Sequence, residues 1–146
     1  MKEELENARV KYQAAMSMSS FEGEVQWSRY SAILLVNTIF IAIIGFSYGI
    51  EFKGSYRLFR TVAPLLGLLL CFLWYQMTDR GFILMNHWIT EARKIEDKQL
   101  KGEINPVNAG QELKSKIGAG VTKKASFLVI GIIAFVYLLM LLLAID

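Results

Sequence analysis

One cysteine, one histidine and two prolines are all that the 146-residue sequence holds of these types. A single thiol, Cys71, cannot close an internal disulfide. With His87 as the one histidine it cannot build a zinc site either, since such a site takes four protein ligands, or three and a water. No nucleophile stands with a base, and no carboxylate cluster has metal-ligand spacing. Gly118 and Gly120 precede Lys123 and Lys124. A phosphate-cradling loop, however, needs Gly-x-x-x-x-Gly-Lys-[Ser/Thr] between a strand and a helix, and here both spacing and context differ. The chain therefore reads as non-enzymatic, with no cofactor, no metal and no nucleic acid expected.

Charge is missing in a more telling way. The stretches 31–50, 61–78 and 126–145 contain no Asp, Glu, Lys or Arg, although these make up 20% of the sequence. At about 1.5 Å per residue, such stretches form helices of roughly 27–30 Å, the thickness of a hydrocarbon core. A soluble protein would instead spread its apolar residues periodically along amphipathic elements. The expected class is an all-α membrane protein with three transmembrane helices. The first stretch lies too far from the N-terminus, behind too polar a segment, for a cleaved signal peptide. With 54% hydrophobic residues in 146, there is room for a single membrane domain and no second large one.

Three crossings place residues 1–30 and 79–125 on one side, and the 51–60 loop and the C-terminus on the other. Of the sixteen basic residues, all but Lys53, Arg57 and Arg60 fall on the first side. That bias makes it the cytoplasmic side, so the N-terminus is expected inside and the C-terminus outside. Only Asp146 follows the third stretch, so no ligand-binding domain is expected outside. Trp27, Arg29, Tyr30 and Trp74 flank the spans as expected headgroup anchors, and Lys123 and Lys124 mark re-entry beside anionic lipid.

The cytoplasmic parts read as amphipathic helices. Leu5, Ala8, Tyr12, Ala15 and Met16 recur at three- and four-residue spacing. A break is expected around Ser19, Ser20 and Gly23. After the second span, Phe82, Met85, Trp88, Ile89 and Ala92 form an apolar stripe. The simplest reading is one helix from about Thr61 to Leu100, with Pro64 in its first turn and Gly102, Asn105 and Pro106 ending it. Residues 103–121 read as a polar linker with a short helix over 111–117. Two stripes with no other core must bury themselves on each other, on lipid or on a neighbouring subunit. That need argues for a homo-oligomer, and makes Met85, Trp88 and Ile89 candidate cytoplasmic contacts for a partner protein.

Polar residues inside spans are functional candidates. Asn37 and Thr38 lie mid-span; the first either bonds between helices or lines a pore constriction. Gly45 and Gly49 form a Gly-x-x-x-Gly pair at which helices can approach closely. No ionisable group sits in a span except the Cys71 thiol, which reads as a small hydrophobe, so a proton relay or charge-coupled transporter is disfavoured. His87 stands one turn before Glu91, a spacing that permits a pH-sensitive pair. Glu91, Glu96 and Asp97 read as a solvated helical face.

The run Trp27-Ser28-Arg29-Tyr30-Ser31, followed by Leu34 and Asn37, resembles a segment of small, uncharacterised bacterial multi-pass membrane proteins. In these, Trp-x-Arg-[Tyr/Phe]-Ser leads into the first span with an Asn inside it. His87-Trp88 with Glu96 is similar to a Trp and Glu found after their second span. The resemblance covers about half the chain. It implies the bacterial inner membrane, and some such proteins are encoded beside antiphage systems. The combined expectation is an oligomeric, non-enzymatic membrane protein, in its sharpest form a gated pore or permeabilising effector. The alternative is a scaffold or accessory subunit that anchors a partner.

Overall fold

A computed structural model of the chain describes residues 2–49, 55–100, 106–110 and 121–145. Helix α1 spans Lys2–Tyr48, α2 spans Ser55–Ile95, and α3 spans Val121–Ile145. Helix α2 runs on into a π-helical turn, Glu96–Leu100, and residues 106–110 form one further short helical stretch. No strand occurs among the described residues. All three long helices have the length and composition to cross a membrane. The chain is an all-α membrane protein with three such helices.

Three features differ from the sequence reading. Helix α1 has no break at Ser19–Gly23. Serine and glycine weaken a helix by up to about 1 kcal/mol each, but tertiary packing commonly outweighs propensity. Here Ser19 is buried, and a Cβ on Gly23 would lie 3.9 Å from Met85 Sδ, so the small residues serve close approach. Helix α2 begins six residues before Thr61, which places Pro64 inside it rather than in its first turn. The ring is nearly inaccessible, and proline brings no N–H to the helical ladder at that position. Pro106 opens the 106–110 stretch rather than merely ending α2, as suits a residue that tolerates a first helical position. The expected 111–117 helix, the loop glycines 118 and 120, and the stops at Gly102 and Asn105 lie outside the described residues.

The chain divides into two compact units. The first comprises residues 1–27 and 79–121. Within it α1 buries Ala8, Ala15 and Ser19, with Tyr12 and Gly23 half-buried; α2 contributes Ala92 and the half-buried Met85, Trp88 and Ile89. The two stripes are spent on each other. Their alternating three- and four-residue steps are those of a coiled-coil seam, here lined by small side chains.

The second unit comprises residues 28–78 and 122–146. Its core contains Tyr30, Ile44, Ala63, Cys71, Trp74, Ile130, Ile133 and Tyr137. Outside this core the surface is apolar: Leu35, Ile39, Phe46, Leu65, Leu69, Phe72, Leu128, Phe135 and Leu142 are among the exposed side chains. Water would penalise such a surface and lipid would not.

Candidate functional site

Two polar nodes are built into the structure, one in each unit. In the membrane-type unit, Asn37 is fully buried. Its Nδ2 donates to the Ile33 carbonyl at 2.9 Å, and its Oδ1 accepts from the Tyr137 hydroxyl at 3.0 Å. Cys71 Sγ stands 4.0 Å from the same Oδ1. Asn37 thus joins α1 to α3 and abuts α2 inside one chain. The Tyr137 ring lies flat on α2 because residue 67 has no side chain. A Cβ there would come within 2.3 Å of the ring, far inside contact distance. Gly67 and Tyr137 were not singled out from the sequence. The available signal was a tyrosine mid-span, where a headgroup anchor has no place.

The remaining predicted residues fall as follows. Thr38 is exposed, with its hydroxyl bonded to the Leu34 carbonyl. Gly45 faces Met140 of α3, and Gly49 closes α1 by donating to the Phe46 carbonyl at 3.1 Å. Trp27 and Arg29 are exposed, whereas Tyr30 and Trp74 are buried against each other with ring centroids 4.9 Å apart. Those two rings are turned into the core rather than outward. The indole N–H of Trp74 is buried without an acceptor. Lys124 is exposed, and the Lys123 ammonium lies over the Phe127 ring at 5.5 Å.

In the first unit the node centres on Glu96, and it corrects the sequence reading. Instead of lying on a solvated face, Glu96 is 1% exposed. Its Oε1 accepts from the Tyr12 hydroxyl at 3.0 Å and the Val107 N–H at 2.9 Å; its Oε2 accepts from the Asn108 N–H at 3.1 Å. The Asn108 side chain donates in turn to Asp97 at 2.8 Å. The physical reason is the π-helical turn, which carries Glu96 and Asp97 to the start of the 106–110 stretch. There, free backbone N–H groups favour a carboxylate. Burial, the Glu96 hydrogen bond and its negative charge push Tyr12 up to about 12. Glu91 does remain outward. Its hydrogen bond with Lys94 holds its carboxyl below the usual range, and His87 adds a smaller pull in the same direction. His87 itself meets the edge of Trp88, with centroids 5.3 Å apart.

No group of three or more His, Cys, Asp or Glu suited to a metal occurs among the described residues. Three apolar helices, a self-satisfied mid-span polar centre and a compact polar unit define a small polytopic helical membrane protein. Residues 10–145 match the Octameric membrane protein family (8xMP), and the chain belongs to that family. Comparison with curated proteins and with solved structures returned no match. The protein is therefore an oligomeric membrane protein.

Proposed function

We propose that eight copies form a gated pore in the bacterial inner membrane, with the N-terminus inside and no catalysis of their own. Membership of an octameric membrane family carries this reading. Copies that share one orientation in a membrane and close on themselves form a ring about a single axis. Eight helices about 10 Å across, set side by side around an axis, leave an opening roughly 16 Å wide. Unless another element fills it, that opening is a path for ions. The basic-residue asymmetry supports the orientation, and the Trp27–Ser31 resemblance supports the bacterial setting and the permeabilising-effector form.

Asn37 does not suit the lumen, because its amide is consumed within the protomer. Thr38 does: it is polar, exposed and mid-span. The test is ion conductance of the purified octamer in a planar bilayer, with a Thr38→Cys, Cys71→Ala variant treated with a charged methanethiosulfonate. Conductance that the reagent blocks is expected. An assembled octamer that passes no current at any applied voltage would sink the pore and leave the scaffold.

A further inference from the structure

We propose that neighbouring subunits join head to tail through the first unit, the outer stripe of α1 in one copy seating on the outer face of α2 in the next. On α1, Val10, Met18 and Phe21 are 58%, 40% and 57% exposed. Their spacing of eight and three residues sets them on one side of the helix, turned away from the buried Ala8–Ala15–Ser19 side. On α2, Ile83 is 58% exposed on the side opposite the buried Ala92, and Leu84, 47% exposed, flanks it. Large apolar side chains standing out of a charge-rich unit mark an interaction surface. Lipid is a poor occupant of the α1 stripe, because Glu22 and Glu24 stand beside Phe21 and anionic headgroups repel them.

A second copy is the occupant that the family's octameric state favours, since each subunit must present surfaces to its neighbours. A ring closed about one axis needs two unlike patches on each subunit, and this unit presents two on different helices. The patches must also lie at one level along the axis. Gln26 against Gly81 and Gly23 against Met85 set the antiparallel register, which brings Phe21 level with His87 and places Ile83 one turn away. Charge agrees: Glu24 borders the α1 stripe and Arg80 borders Ile83. The inference rests on octameric assembly and is independent of whether the octamer conducts.

The full-length protein in detergent tests it, in a Cys71→Ala background. Phe21→Cys combined with Ile83→Cys, treated with a short bismaleimide, is expected to give a covalent ladder reaching eight subunits, while each single cysteine gives none beyond the dimer. An intact octamer by native mass spectrometry that yields only monomer after cross-linking would overturn the proposal, as would a ladder ending at the dimer. Phe21→Glu and Ile83→Glu are each expected to lower the octamer population about tenfold, and Phe21→Glu with Ile83→Lys to recover it. Full assembly in both single-charge variants, with wild-type helicity, would equally refute the interface. Should a charge variant lose helicity, the cross-linking result decides.

Discussion

Glu96→Ala is the sharpest perturbation the structure offers. The change deletes the acceptor for three donors at once: the Tyr12 hydroxyl and the Val107 and Asn108 amides. A buried donor left without its partner costs about 1–3 kcal/mol. Because Tyr12, Val107 and Asn108 are only half-buried, water recovers part of this, and roughly 3–6 kcal/mol remains. Against a typical total of about 5–15 kcal/mol, that loss releases the 106–110 stretch and loosens the first unit. Glu96→Gln, which keeps the shape but turns a donor toward one amide, costs roughly 1.5–3 kcal/mol, the loss of one charge-assisted bond. Hydrogen exchange of the Val107 and Asn108 amides reads the effect directly, and thermal unfolding in detergent reads the total. Unchanged amide protection in Glu96→Ala, with a melting curve like wild type, would refute the claim that this carboxylate organises the unit.

Other outcomes follow from the same geometry. Gly67→Ala drives a methyl into the Tyr137 ring and is expected to destabilise by about 1–3 kcal/mol, measured by SDS titration; a silent substitution would mean the ring does not rest on α2. Asn37→Leu and Tyr137→Phe each cost roughly 0.6–2 kcal/mol and, removing the same bond, should be strongly non-additive in a double-mutant cycle. Tyr12 has a folded-state pKa raised from 10.0 to about 12, so its neutral form is favoured by folding. Its contribution is complete below pH 10 and fades as the pH climbs through about 12. Tyr12→Phe should flatten the alkaline fall in stability across that window, and equal slopes in the two proteins would contradict the contact.

The membrane class was plain in the sequence because uncharged length is a direct physical requirement of the bilayer, and α1, α2 and α3 all meet it. The inward stripes of the first unit were also readable, since Ala8, Tyr12, Ala15, Met85 and Ala92 follow helical periodicity, although Met16, placed in the same stripe, is exposed. What escaped depends on contacts far apart in sequence. Tyr12 and Glu96 are 84 positions apart, and Asn37 and Tyr137 are 100 apart. A carboxylate in a run of charges looks solvated until a π-helical turn folds it onto backbone amides. Local weakness misled in the other direction: Ser19 and Gly23 looked like a break, yet their small size is what lets α1 approach α2. Glycine counts equally as a flaw in a lone helix and as a fitting in a packed one, and periodicity alone does not separate the two.

The polar matching of the spans within one chain also bears on when the octamer forms. Asn37, Thr38 and Ser47 all find hydrogen-bond partners in their own protomer. These three side chains of α1 therefore need no neighbouring subunit, and a protomer that folds before it assembles is the expected outcome, to be checked by counting subunits at low surface density. Assembly is then governed by mass action in two dimensions. Eight-body association rises steeply with surface density, so a modest increase in expression or local clustering carries the population across a threshold. For the proposed octamer, membrane density is then a control variable in its own right.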